Sequence, residues 1–233
     1  MGKRLAWIFT LGAILMTGAA TVNAHNWLGE IFTGGRQIHG SGNLESETRD
    51  VSRFTRIEIA MGVDVTVHVG KPQQVTVTFD DNVISTIQTR VHAGTLTIDS
   101  KRSFSSDADC HVDICVPELS GFDLFGSGDV QIEDLNGDRL QLGIYGSGNI
   151  VIDGKAQRLK VALAGSGSVD ARDLLADDAE VEISGSGNVQ VNAVSRLEAS
   201  ISGSGDIAYY GDPEDVDSDV AGSGSIHRVR GKR

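Results

Sequence analysis

The hydrophobic and polar positions of this chain alternate, and they do so in blocks. Leu140-Leu142-Ile144, Leu159-Val161-Leu163, Val181-Ile183 and Leu197-Ala199-Ile201 each place an apolar side chain at every second residue. A period of two predicts strands with one buried face, because successive side chains on a strand point to opposite sides. Each block runs into the tripeptide Gly-Ser-Gly, and a second short block follows, led by Val130, Ile150, Val169, Val189, Ile207 or Ile226. The apolar phase passes through the tripeptide unbroken. Leu140, Leu142, Ile144, Gly146, Gly148, Ile150 and Ile152 fall on one phase, so an extended chain turns both glycines inward and the serine outward. The pattern predicts a corner at each tripeptide, where the strand bends around a narrow core and a Cβ is not tolerated.

Gly-Ser-Gly begins at residues 40, 126, 146, 165, 185, 203 and 222, and from 126 onward the spacing is 18 to 20 residues. A unit of that length holds one or two short strands and cannot bury its inner face alone, so neighbouring units must stack. The predicted fold is all-β, a parallel β-solenoid with about 19 residues per coil. Six coils at about 4.8 Å per strand spacing make a rod on the order of 25–30 Å long. The variable stretches "IEDLNGD", "DARDLLADD" and "YYGDPEDVD" are too short and turn-rich for a stable helix, although "RDLLADDA" has the length for a single turn.

The first half alternates less regularly, through Ile57-Ile59, Val63 to Val69, Val75-Val77-Phe79 and Leu96-Ile98, with turns at Gly70-Lys71-Pro72 and Ala93-Gly94. "DNVISTIQTRV" reads as a short helix or a further strand. This half either continues the solenoid irregularly or caps it, and a cap is required because an open end exposes unpaired strand edges. The basic tail from His227 to Arg233 is the candidate cap at the other end.

The N-terminus changes the picture of where the chain works. Lys3 and Arg4 precede an uncharged apolar stretch from Leu5 to Ala20, and Val22 and Ala24 occupy the small-residue positions of a signal-peptidase site. The expected organisation is a signal peptide at 1–24, a partly flexible segment at 25–50, a β-rich half at 51–119 and the repeat solenoid at 120–233. Loss of the leader removes Lys3 and Arg4 and makes the formal charge of −12 two units more negative. So acidic a surface argues against nucleic acid as a partner, and no membrane span is expected after cleavage. An exported compartment permits a disulfide between Cys110 and Cys115. On a straight strand, however, residues five apart lie about 16 Å apart on opposite faces. Either the chain bends near His111 to join them, or Cys110 is buried as a small hydrophobe with Cys115 on the outer face; strand geometry favours the second.

The leader, "GSGNL", "RFTRIEIAMGVDVTVHVG", "GTLTI", "VPELSGFDLFGSGDV" and the serial GSGN/GSGD units occur here in that order. In this combination the chain resembles the bacterial family called the putative auto-transporter adhesin head, or GIN domain, over roughly residues 50 to 230. The resemblance implies a right-handed parallel β-helix-like fold, in agreement with the periodicity. It implies little about function, since "adhesin" in the family name is itself an inference from architecture. Neither a translocator barrel nor a long passenger is read in the chain, so the auto-transporter part of that name is not expected to apply.

Candidate chemistry is sparse. The residue after each tripeptide forms a column of Asp129, Asn149, Ser168, Asn188, Asp206 and Ser225, beside the tripeptide serines. Asp129, Asn149, Asn188 and Asp206 are the candidate binding positions of this ladder, for carbohydrate or a cation. The competing and preferred reading is a structural ladder that satisfies corner backbone and fixes coil register. Asp212, Glu214, Asp215, Asp217 and Asp219 crowd into eight residues and form the best single metal candidate, against the commoner alternative of a solvated acidic loop. The ladder itself has too few carboxylates for calcium, which takes six to eight oxygens.

Catalytic signatures are missing from the sequence. The six histidines are scattered, no G-x-S-x-G elbow opens a helix, and the Gly-Ser-Gly units lack the lysine of a phosphate loop. No cofactor is expected. The expectation is a non-enzymatic exported solenoid in the periplasm or at the cell surface. Its roles would be adhesion, envelope organisation or ligand binding, with a carbohydrate or an envelope or surface protein as partner. One alternative is a polysaccharide-lyase-like enzyme drawing on Arg139, Arg158, Lys160, Arg172 and Arg196. Another is a scaffold, a homo-oligomer stacking end to end.

Overall fold

The computed structural model describes residues 37–230; the expected signal peptide lies outside them. The strands begin with β1 (Ile38–His39), β2 (Leu44–Arg49), β3 (Arg56–Ile59), β4 (Asp64–Val69) and β5 (Gln74–Asp80), before a 3-10 turn at Ile84–Thr86. Next come β6 (Ile87–His92), β7 (Thr95–Ser100), β8 (Phe104–Ser105), β9 (His111–Val116) and β10 (Gly121–Leu124). The repeats form β11 (Asp129–Ile144), β12 (Asn149–Gly165), β13 (Ser168–Gly185) and β14 (Asn188–Gly203), each passing from one face of the molecule to another. The chain then continues through β15 (Asp206–Tyr210), β16 (Asp215–Gly222) and β17 (Ser225–Arg228).

Two ladders run side by side. Face A stacks β6, β7, β3, β10, the second halves of β11 to β14, and β16. Face B stacks β2, β5, β9, β4, the first halves of β11 to β14, then β15 and β17. All pairings from β7 and β9 onward are parallel, so the expected β-solenoid is the fold. The first half both continues and caps it. β3, β4, β7 and β9 are parallel rungs, while β2, β5 and β6 pair antiparallel at the N-terminal end, where Phe79, Val83 and Ile84 are buried.

Register explains why the alternation had to be so regular. Leu140, Leu159, Ala179 and Leu197 are successive partners, as are Ile144, Leu163, Ile183 and Ile201. All are buried in one continuous core. Burying an aliphatic side chain stabilises by about 1.5–3 kcal/mol, and a one-residue slip would turn a whole rung outward.

The corners are held by backbone. Ser147 N–H donates to the Gly126 carbonyl at 3.1 Å, and Ser166, Ser186, Ser204 and Ser223 repeat the bond to Gly146, Gly165, Gly185 and Gly203 at 2.9–3.1 Å. A Cβ built on Gly148, Gly167, Gly187 or Gly205 would lie less than 3.0 Å from the carbonyl oxygen of the matching glycine one coil earlier. The side chain is therefore excluded chiefly by the neighbouring coil, and only secondarily by the core. The first glycine at 165, 185, 203 and 222 also has φ between +142° and +150°, which L-residues rarely adopt. Met61-Gly62-Val63 occupies the rung before Gly126-Ser127-Gly128. It keeps side chains because the chain beyond it opens into the long 101–110 connection instead of another tight corner.

Four local features refine the sequence reading. "RDLLADDA" contains no helical turn and is extended within β13, because parallel partners on both sides claim its backbone. Residues 84–92 are both a 3-10 turn and a strand. His227 and Arg228 belong to the last rung of face B instead of covering it. Cys110 and Cys115 are unbonded to each other; Cys115 sits on the outward phase of β9, and Cys110 packs against the core.

The tripeptide at 40 has a separate task. Its Gly42 N–H donates to Asp80 Oδ1 at 2.6 Å, Ser41 Oγ donates to Asp81 Oδ1 at 2.6 Å, and Asn82 Nδ2 donates to the His39 carbonyl at 2.8 Å. It clamps the turn after β5 instead of turning a coil.

Candidate functional site

The polar column after the tripeptides is bonded to itself. Asp129 N–H donates to Asp64 Oδ1 at 2.8 Å, Asn149 Nδ2 to Asp129 Oδ1 at 2.8 Å, and Ser168 Oγ to Asn149 Oδ1 at 2.6 Å. Farther along, Asp206 N–H donates to Asn188 Oδ1 at 3.2 Å, and the Ser225 hydroxyl and N–H both donate to Asp206 Oδ1 at 2.7 and 2.8 Å. The Ser225 hydroxyl is the main reason the Asp206 carboxyl is held below its ordinary value of 3.8. Asp129, Asn149, Asn188 and Asp206 are thus brought onto one face, with much of their bonding capacity directed along the stack. Because this column is exposed, Asn149→Ala is expected to cost less than about 1 kcal/mol in urea unfolding, although it removes two bonds.

The acidic run is dispersed. Asp215, Asp217 and Asp219 alternate along the exposed β16, Asp212 pairs with Arg228 at 2.8 Å, and Asp215 faces Arg196 at 3.7 Å. Among the described residues no three His, Cys, Asp or Glu side chains converge as a metal set. Of the five basic residues singled out for a lyase, Arg139, Arg158, Lys160 and Arg196 line one cleft of face A, of about 360 Å³, with Asp178, Glu180 and Glu198. Lys160 is paired with Glu180 at 2.5 Å, and Arg172 stands elsewhere, paired with Asp170.

The most distinctive feature of face A is an exposed aromatic pair. Phe125 and Tyr145 stack with ring centroids 4.7 Å apart and planes within 11° of parallel, and each is 44 % exposed. They stand on successive coils, one residue beyond the Leu124–Ile144 pair. Beside them Asp123 accepts from Arg56 Nη2 at 3.1 Å, and Arg56 Nη1 donates to Gln141 Oε1 at 2.9 Å. A Cβ on Gly143, the residue paired with Asp123, would run into Asp123 Oδ1 and Tyr145, so only glycine leaves room for both side chains to lie across the sheet. Burial raises the Asp123 carboxyl above 3.8 against the opposing pull of Arg56, and burial, then Asp123, raises the Tyr145 hydroxyl. Carboxyl chemical shifts followed against pH are expected to show Asp123 titrating above 3.8 and Asp206 below it. Aligning the residue before each tripeptide would have exposed the aromatic pair, since that column reads Phe125, Tyr145, Ala164, Ser184, Ser202 and Ala221.

The model of the family described as "putative auto-transporter adhesin, head GIN domain" matches residues 53–213, most of the stacked rungs. The chain belongs to this family. Among solved structures, the GIN domain is similar to a putative adhesin from Bacteroides fragilis, at 25% identity and a TM-score of 0.68, covering 82% of this chain and 100% of that one. It is also similar to a protein from Parabacteroides distasonis described as a putative lipid binding protein, at 26% identity and a TM-score of 0.52, covering 84% and 100%. A putative adhesin from Parabacteroides merdae shares the fold at 20% identity and a TM-score of 0.54, covering 83% and 99%. No curated protein matches the chain. Among the described residues of the GIN domain, no helix is long and apolar enough to cross a membrane.

Proposed function

We propose that this GIN domain is an exported, non-enzymatic binding module that works by adhesion in the periplasm or at the bacterial surface. One observation carries the reading: backbone bonds at every corner lock successive coils in register. Outward side chains therefore recur on a rigid lateral face at about the strand spacing of 4.8 Å. Such a face suits a repeating or extended ligand, and it costs little ordering entropy on binding. The leader-like N-terminus supports export, and the adhesin descriptions of family and neighbours support adhesion. The test is binding of the purified protein to intact cells and envelope fractions. Saturable binding is the expected result, and none to any fraction would sink the reading.

A second reading rests on the cleft of Arg139, Arg158, Lys160 and Arg196, which joins basic and acidic groups as a lyase of acidic polysaccharides would. Release of unsaturated uronates from such polymers by the purified protein, abolished by Arg158→Ala, would favour it over adhesion.

A further inference from the structure

The stacked aromatics end abruptly, and the place where they end has the makings of a ligand site. Tyr145 is followed one coil later by Ala164, one residue beyond the Ile144–Leu163 pair, and Ala164 by Ser184. On the next outward row the order is Asp123, Gly143, Ala162, Glu182. The Phe125–Tyr145 separation of 4.7 Å nearly equals the spacing of the coils, so the two rings continue the coil period outside the sheet. The next layer of that stack, over Ala162 and Ala164, has no side chain large enough to fill it. Tyr145, stacked on Phe125, is 44 % exposed, in a chain with only 5% aromatic residues. Along that row Glu182 stands one coil past the slot, Asp123 leans over Gly143 at the level of Tyr145, and both carboxylates act on the Tyr145 hydroxyl. Asp123 Oδ2 is taken by Arg56, whereas Oδ1 lies over Gly143, the open side of the sheet.

From this arrangement we infer that the slot over Ala162 and Ala164 binds a neutral pyranose unit of an oligosaccharide, stacked on Tyr145 as the third layer after Phe125. The inference rests on the binding reading above and names its ligand class. A pyranose is a flat apolar plate edged with hydroxyls. Its C–H face, with slightly positive hydrogens, complements the negative face of an aromatic ring, and its hydroxyls donate to Glu182. A neutral sugar fits better than an acidic one, because Glu182 is a carboxylate, Lys160 on the slot's own coil is already paired with Glu180, and the chain carries a formal charge of −12.

Glycan binding is tested on the full chain by calorimetry and by Tyr145 ring resonances. The probes are hexamers of neutral sugars (β-1,4-glucan, β-1,3-glucan, β-1,4-mannan, β-1,4-xylan, N-acetylglucosamine), with oligogalacturonate as the acidic comparison. At least one neutral hexamer is expected to bind and to shift the Tyr145 ring. Tyr145→Ala should weaken it by about tenfold or more, and Ala164→Trp, which fills the exposed layer without touching the core, should abolish it. Native chemical-shift dispersion in each variant establishes that the fold is kept. No binding by any neutral hexamer, or affinity unchanged in both variants, overturns the site. Binding of oligogalacturonate alone, dependent on Arg158, also overturns it and points to the neighbouring cleft. If the Tyr145→Ala and Ala164→Trp proteins still adhere to cells like the wild type, the site fails while the adhesion reading stands.

Discussion

Gly167→Val is expected to cost 3 kcal/mol or more, roughly the upper range for overpacking a core. It should lower the midpoint of urea unfolding accordingly or abolish soluble expression. The added Cβ would sit less than 3.0 Å from the Gly148 carbonyl oxygen and close to Ile144 Cγ2. The first of these neighbours is backbone and cannot rotate away, so the coils must separate. Separation breaks the Ser166-to-Gly146 and Ser168-to-Gly148 bonds and uncovers the aliphatic rungs beside them. Ser166→Ala, one residue away and exposed, should cost less than about 1 kcal/mol. Equal losses for the two variants would mean that the corner tolerates a side chain and that the stacking account is wrong.

The second large effect is expected at Asp80, which has no solvent exposure. Its carboxylate accepts from Gly42 N–H at 2.6 Å and from the Ser106 hydroxyl, and the Cys110 thiol lies 3.6 Å away. Asp80→Ala leaves these half-buried donors without their acceptor and should destabilise by about 2 kcal/mol. Asp81→Ala, which removes one exposed bond from Ser41, should cost under about 1 kcal/mol. The pH dependence has a definite sign. The Ser106 bond is the largest cause holding Asp80 below its ordinary value of 3.8, against the opposing effect of burial. Its contribution is therefore complete above pH 3.8 and fades as the pH falls through the lowered value. Urea midpoints measured down through that window should fall for the wild type, and the gap to Asp80→Ala should close. A constant gap would mean that the charge on Asp80 plays no part.

Both residues show how far the sequence could be read. Gly167 was legible because its environment repeats: the same phase, tripeptide and spacing recur, and stacking follows from a unit too small to fold alone. The physical reason for the glycine was less legible. Parity placed it inward, but the carbonyl that excludes a side chain belongs to a coil about 19 residues earlier, and only the register reveals it. Asp80 was not legible at all. Its partners come from residues 42, 106 and 110, none in a periodic relation to it, and its clamp uses the one tripeptide that stands outside the period. The aromatic slot lay between these cases. Phe125 and Tyr145 share a template position, but only two of its six occupants are aromatic, so the column carries no period of its own. The ladder of Asp129, Asn149, Asn188 and Asp206 was legible as a column, and its bonds run along the stack as the structural alternative requires.

The corner contact between one coil and the next has a consequence for how such a molecule changes over generations. Each winding meets its neighbour through the same few main-chain atoms, whatever its outward residues are. Gaining or losing an entire winding by unequal recombination would thus leave every remaining junction intact and alter only the reach of the rod. A gain or loss of a few residues at a corner would break the match at once. Length in this lineage should drift in steps of one full turn, while the N-terminal closure and the two ringed windings keep their places relative to each other.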